Sequence, residues 1–438
     1  MSDVIGIVGL LTAVGLLMFL VYKGLNVVVM TILCSLLIAV TNGMNPITTF
    51  TGVYMERFGY MIGFLGAVFI LGAVIGAIYD NSGAAYSLVK FFTDHVKAKS
   101  GYAKTVVSVL CVMLFIITLG YFGVDTLVLI FLTVPICTQF CRQNNWSAKF
   151  VPVLVAAGPL ANILPGAAQT YNIIPTKYLG THPMASAIPG FIACAVGFVL
   201  ILLYTTRSIE KSVAQGETFQ ENNALKKTNI AHEKYPHPLL AFIPLLSIFV
   251  CFNLFKQTIE LSLFAGAVFS VALFWKYLAN IPETLNVGIS NAARTALNFG
   301  ALMGFSRVAM SAPVFSNFIT AVAGNDSVNP ILVIVASVAL LTGIGSSANA
   351  GITATMEAFA GTFLANGVSP AIIHRAATLT GATLDTLPTN SGVIISLNLS
   401  GSTHKLSYKY IFVNTVLIPF VIVAVYVVLV MLFPGIAV

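Results

Sequence analysis

Charged residues are scarce in this sequence. Only 8% of its 438 residues are Asp, Glu, Lys or Arg, 58% are hydrophobic, and the mean hydropathy is +0.95. A soluble domain carries roughly 25% charged residues. This chain therefore lacks the polar surface to cover a globule in water, and lipid must solvate most of its exterior. The formal charge of +7 then implies no nucleic-acid partner. The basic residues sit in short loops between apolar runs, where they orient a chain in the membrane. Other absences narrow the class. There is no GxxxxGK[ST] loop, which excludes direct drive by a nucleotide. There is no HExxH and no His/Cys cluster, so no metal site or metal hydrolase is expected. The six cysteines form no CxxC pair and read as small hydrophobes. No Arg-rich helix suggests a voltage sensor, and no Ser or Cys has an evident His partner at membrane depth. Neither catalytic residues nor a cofactor is expected. The first apolar run, Val4 to Tyr22, has no basic n-region and no small-residue cleavage site, and reads as a retained helix.

Apolar runs are what the sequence has in abundance. They lie near 4–22, 25–41, 60–79, 103–120, 126–141, 149–165, 186–206, 237–255, 258–280, 299–320, 330–343, 350–364, 371–400 and 409–433. A spanning helix needs about 20 residues. The pattern predicts an all-α polytopic membrane protein with about 12–14 transmembrane segments, several of them short or interrupted. The most polar stretch, Arg207 to His237, divides the chain into a first unit (1–206), a solvated linker (207–236) and a second unit (237–438).

The two units echo one another. GAVIGAIYDNSGAAYS at Gly72 to Ser87 resembles GALMGFSRVAMSAPVFS at Gly300 to Ser316. NILPGA at Asn162 resembles DTLPTN at Asp385, and Gly180-Thr181-His182 is echoed by Ser402-Thr403-His404. The three matches run in order at a nearly constant offset, which predicts an internal repeat. The loop Lys90 to Lys104 holds Lys90, Lys97, Lys99 and Lys104, whereas its counterpart, Ala321 to Asn329, holds no Lys or Arg. By the positive-inside rule the first is cytoplasmic and the second is not. The loops at Lys23, Arg142 to Lys149, Arg207 to Lys234 and Lys405 to Lys409 fit the cytoplasmic side. Seven spans per unit then invert the second against the first, with both termini outside. Inverted repeats with interrupted helices characterise secondary transporters, whose substrate lies at the repeat interface near mid-membrane.

The interruptions supply the candidate residues. Backbone that is not helical cannot face lipid, so it must be buried or line a cavity. Pro388 and Pro165 break their runs. The helix that restarts after each break carries free N–H groups and partial positive charge suited to an anion. Thr389, Asn390 and Ser391 on one side, and Asn162, Gly166 and Gln169 on the other, are expected to face each other and hold a carboxylate and a hydroxyl. A second pair of breaks, LGYFGVD (Leu119 to Asp125) and TGIGSSANAGIT (Thr342 to Thr353), reads either as re-entrant tips or as turns between spanning helices. Ser346, Ser347 and Asn349 are further candidates for substrate contact. Carboxyls inside the membrane are functional candidates by default. Asp385, Glu357 and Asp125 are the candidate coupling groups, while Asp80 reads as a helix end. Arg307 is a candidate partner for a substrate carboxylate. Arg375, beside His374, is expected to snorkel to the interface, and His182 and His404 to lie in surface loops.

These residues resemble the gluconate permease (GntP-type) family. The resemblance rests on the text at Gly72 to Ala85, on GPLANILPG at Gly158 to Gly166, and on LDTLPTNSGVI with the following GSTHKLSYKYIFV. The last motif is closer to the branch associated with hydroxy acids such as 3-hydroxybutyrate than to the gluconate branch. The resemblance implies a symporter of small organic acids with H⁺ in a bacterial inner membrane, with scaffold and transport units and an elevator-like movement by analogy. Sodium is the alternative coupling ion, because Ser, Thr, Asn and backbone carbonyls at the breaks suit Na⁺ as well. From another class, a channel would need a continuous polar stripe, and isolated breaks are present instead. The expected partners are the bilayer and a small organic acid, with a homodimer left open.

Overall fold

The computed structural model describes residues 2–94, 101–121, 123, 126–220, 235–255, 257–314, 329–345 and 347–436. The chain is helical throughout, with no strand among the described residues. The first unit runs through α1 (Ser2–Tyr22), α2 (Val27–Thr41), α3 (Pro46–Asn81), α4 (Ala84–Asp94), α5 (Gly101–Tyr121) and α6 (Thr126–Gln143). It continues with the short α7 (Val151–Val155) and α8 (Pro159–Ile163), then α9 (Thr170–Leu179) and α10 (Ala187–Ala214). The second unit comprises α11 (Pro238–Phe249), α12 (Ile259–Phe274), α13 (Ile281–Ser311), α14 (Pro330–Gly345), α15 (Ala348–Ala365), α16 (Pro370–Gly381), α17 (Ser391–Ser400) and α18 (His404–Leu432). Among the described residues, six helices, α1, α3, α5, α10 and α18 among them, are long and apolar enough to cross a membrane. The chain is a multi-pass membrane protein.

Local chemistry explains the starts. Asn45 accepts from the N–H groups of Ile47 and Thr48, and Pro46 supplies the first helical position of α3. This is an N-cap followed by proline at N1, where its missing donor costs nothing. Asn280 caps α13 in the same way, with Pro282 beside it.

The two units share an order of elements. In each, a helix pair precedes one very long helix, and a hairpin, a broken segment, a short helix and a long last helix come later, with α4 between the long helix and the hairpin of the first unit. The long helices α3 and α13 pack along one another. They approach through small residues, as membrane helices do: a Cβ added at Gly288 would sit 2.9 Å from Val74 Cα, and one at Gly304 would sit 2.9 Å from the Tyr54 ring. The helix pairs dock crosswise, α2 on α13 and α12 on α3. The shorter helices cross over too: α9 packs on α15 of the second hairpin, and α17 packs on α6 of the first. Two apolar clusters result among the described residues. The smaller joins α1, α2 and the C-terminal part of α13, and the larger gathers nearly everything else.

Three boundaries differ from the sequence reading. The run 371–400 is two helices, α16 and α17, separated by the Pro388 break. The last helix of the first unit runs on through Arg207 to Ala214, so the linker begins eight residues later than expected; residues 221–234 lie outside the described residues. The lysine-bearing stretch Lys90 to Lys104 is partly helical, in α4 and α5. Beyond α10, Glu217 pairs with Lys149, and the Phe219 N–H donates to Asn145 Oδ1. Ser407 donates to the Lys149 carbonyl at 2.7 Å. The basic loops of both units thus meet at one end of the molecule.

Candidate substrate and coupling site

The second break is built around Asp385. After α16 the chain leaves the helix at Ala382 and restarts at Ser391, where Asn390 Oδ1 caps α17 by accepting from the Val393 N–H at 3.1 Å. Asp385 is buried. Its Oδ2 accepts from the Tyr171 hydroxyl at 2.7 Å, and its Oδ1 accepts from the Ala348 N–H at 2.8 Å and from Asn390 Nδ2 at 3.3 Å. The Ala348 donor is the first residue of α15, so the carboxylate sits at a helix N-terminus, where partial positive charge favours it. Ser347 caps the same helix through the Ala350 N–H.

The first break repeats this design with a neutral group. Asn162, three residues before Pro165, is buried, and its Oδ1 accepts from the Thr126 hydroxyl at 3.0 Å, at the start of α6. Asn162 and Asp385 therefore each meet the second helix of the hairpin in their own unit. The turn after Pro165 needs a left-handed residue, supplied by Gly166 at φ +80; its N–H donates to the Pro183 carbonyl at 3.0 Å. Gln169 Nε2 donates to the Gly120 carbonyl at 2.6 Å, and Asn172 Nδ2 donates to the carbonyls of Asn162 and Leu164.

Besides these donors within the first unit, each break draws partners from the other unit or from the last helix. Arg375, in α16, is fully buried. Its Nε donates to the Ala185 carbonyl, Nη1 to the Ile163 carbonyl and to Asn172 Oδ1, and Nη2 to the carbonyls of Pro183 and Ala185. All five guanidinium donors are used. The snorkelling expected of Arg375 is thus corrected: the Ile163 carbonyl at the first break and the Pro183 and Ala185 carbonyls of the α9–α10 turn draw it inward, because lipid offers them no donor. In the second break the Tyr408 hydroxyl donates to the Thr386 carbonyl at 3.1 Å, and His404 Nε2 lies 2.9 Å from the Pro388 carbonyl. His404 is half-buried in this role, while His182 is exposed.

Both breaks border one cavity of about 50 Å³, lined by Thr126, Asn162, Asp385, Asn390 and Thr415 among others. It has room for a water molecule or two, and is too small for an organic acid. The structure brings Asn162, Asp385 and Asn390 together there. Thr389 and Ser391 are buried beside it, while Gly166 and Gln169 belong to the turn leading into α9 and do not line it. Asn349 is exposed and accepts from Thr170 at 2.8 Å. Glu357, also exposed, accepts from the Tyr178 hydroxyl at 3.0 Å. These two pairs join α15 to α9 away from the cavity. Arg307 is exposed on α13, outside the cavity lining. Asp125 and Ser346 lie outside the described residues.

The sequence reading missed Tyr171, Asn172, Thr126 and Thr415. Tyr171 and Asn172 sit in a ten-residue helix containing Pro175, too short to register as a span. Their position directly after the first break was the available signal.

Paired helix breaks buried among apolar helices, each stabilised by the opposite unit, are the architecture of a membrane permease rather than an enzyme. Comparison with known proteins agrees. The family model of the GntP family permeases matches residues 5–250, more than half of the chain, and the chain belongs to that family. It is also 26% identical over 469 residues to the uncharacterized transporter YxjC of Bacillus subtilis (strain 168), covering 95% of this chain and 98% of that protein. The protein is a transporter.

Proposed function

We propose that the protein imports a small organic hydroxy monocarboxylate, such as 3-hydroxybutyrate or gluconate, across a bacterial inner membrane by proton symport, with Asp385 carrying the proton. The observation behind this reading is that Asp385 is buried inside a helix break, on the wall of a cavity reached by both units. Ionised, it satisfies the N-terminus of α15 and repels a second carboxylate. Protonated, it releases part of that helix-terminal field and leaves Arg375 as the buried charge nearby in the fold. A substrate anion is then favoured at the breaks only when the proton is present. That differential affinity is the coupling. Asn162 and Asn390 face the site from the two units and would hold the substrate once the cavity opens. The two units act as inverted repeats, with the end bearing Lys23, Lys149 and Lys405 in the cytoplasm and both termini outside.

A second reading has its own observation. The cavity is lined by the Asp385 carboxylate, two amide side chains, three threonines and a serine and is of ion size, which suits Na⁺ as a hard cation. Uptake of labelled 3-hydroxybutyrate and gluconate into proteoliposomes, under a pH gradient or a Na⁺ gradient alone, separates the two. For the proton reading, Asp385→Asn should keep counterflow and lose accumulation driven by pH. Full accumulation by Asp385→Asn would sink it.

A further inference from the structure

A second cavity, of about 630 Å³, lies between the α1–α2 turn and the turn from α17 into α18. Its volume is in the range of small-molecule sites. It opens at the seam of the two apolar clusters, since Val21 and Ile394 belong to the smaller and Leu397 to the larger. Lys23 and Lys405, distant in sequence, flank it; His404, Asn298, Asn398 and Thr403 line it, and none of the described lining residues is acidic. A loop lysine that only orients the chain needs no cavity, and these two share one. The cavity also reaches the break: His404, on its wall, holds the Pro388 carbonyl through Nε2 at 2.9 Å.

We infer that this cavity is an anion vestibule, taking the carboxylate of a small organic acid between Lys23 and Lys405 on its way between the basic end of the molecule and the breaks. The inference rests on the proposed transport of such an acid and adds the path. Two ammonium groups over a low-dielectric wall concentrate an anion before it is committed to a tight site. The amides of Asn298 and Asn398 and the Thr403 hydroxyl can receive the hydroxyl of the acid. The neighbouring His404 ties occupancy of the vestibule to the backbone beside Asp385.

The test uses Thr403→Cys in a background with the half-buried Cys111 and Cys251 replaced by serine. Thr403 is exposed and its side chain caps nothing. Labelling rates are compared for sulfonatoethyl and trimethylammonioethyl methanethiosulfonate, each relative to a free thiol. The anionic reagent should react faster by about tenfold. The preference should fall in Lys23→Gln and in Lys405→Gln and vanish in the double variant. This comparison needs no transported substrate, so it stands or fails apart from the uptake assay. In phosphatidylcholine vesicles, whichever of 3-hydroxybutyrate and gluconate is taken up should slow the labelling. No anionic preference, or one untouched by the double substitution, overturns the vestibule. Slowing by added phosphatidylglycerol, with none by a transported acid, assigns the cavity to a lipid headgroup and overturns it as well.

Discussion

The hydroxyl of Tyr171 donates to Asp385 Oδ2 at 2.7 Å, joining the helix that follows the first break to the carboxylate inside the second. The next residue, Asn172, accepts from Arg375 at 2.7 Å. One turn of α9 therefore touches both Arg375 of α16 and Asp385 in the segment behind it. A hydrogen bond to a charged group contributes about 1.5–3 kcal/mol, so Tyr171→Phe is expected to reduce accumulation by roughly tenfold or more. The variant should still purify as a folded protein. Uptake equal to the parent would show that the phenol is dispensable to Asp385.

Arg375→Met should fail to accumulate as folded protein. It removes the guanidinium donor from the carbonyls of Ile163 and Ala185 and from the Asn172 side chain, each at about 1–3 kcal/mol, while Pro183 keeps the Gly166 N–H. Arg375→Lys should be intermediate, since an ammonium offers three donors without the planar fork. Thermal unfolding in detergent measures this. An unaltered midpoint in Arg375→Lys would mean that the guanidinium geometry is unimportant.

Asn390 has two duties, capping α17 and donating to Asp385. Asn390→Ser keeps a cap and loses the link to the carboxylate. Substrate binding by calorimetry should weaken about tenfold in Asn390→Ala and in Asn162→Ala. Stability should drop in Asn390→Ala, by about 1 kcal/mol, and recover in Asn390→Ser. Parental affinity in both alanine variants would move the substrate site elsewhere, with the exposed Thr170 and Asn349 pair the next place to look.

Single cysteines at His182 and Lys405, both exposed, should label from opposite faces of the membrane in a background without native cysteines. His182 ends the Gly-Thr-His text and Lys405 follows its Ser-Thr-His echo, and inverted units put the two texts on opposite sides. Labelling from one face refutes the inversion.

The α14–α15 hairpin closes on a glycine. A Cβ at Gly351 would lie 2.2 Å from Thr342 Oγ1 and 2.5 Å from the Thr342 nitrogen, whereas Gly361 on the same helix faces open space. Gly351→Ala should lower the unfolding midpoint through a clash of about 1–3 kcal/mol. Gly361→Ala should leave it unchanged or raise it, by up to about 1 kcal/mol. A similar response from the two would mean that the hairpin is loose.

What the sequence disclosed followed from local chemistry. Too few charges meant lipid, and Pro165 and Pro388 among polar residues meant broken helices. Asp385 stood out because a carboxylate inside an apolar run has no local excuse. What it withheld was tertiary. Arg375 and His374 look like an interfacial pair along the chain, and only the folded first unit, through its break and the α9–α10 turn, supplies the carbonyls that make burial favourable. Glu357 and Asn349 lie on a helix with apolar residues all around, so its sequence did not reveal which face turns inward. Tyr171 was hidden because its helix is shorter than a span.

The crosswise docking of the two units has a consequence for biogenesis. Ile163 and the guanidinium that satisfies its carbonyl are 212 residues apart. At synthesis rates of about 5–20 residues per second, that separation is roughly 10–40 s on the ribosome. For that interval the first break sits in or beside the membrane with Asn172 on the Asn162 and Leu164 carbonyls but with the Ile163 carbonyl lacking its guanidinium donor. The nascent first unit must be sheltered by the insertion machinery, or by water held at the break, until α16 arrives. Expressed alone, it should be a substrate for membrane proteases, and co-expression of residues 237–438 from a separate message should rescue it.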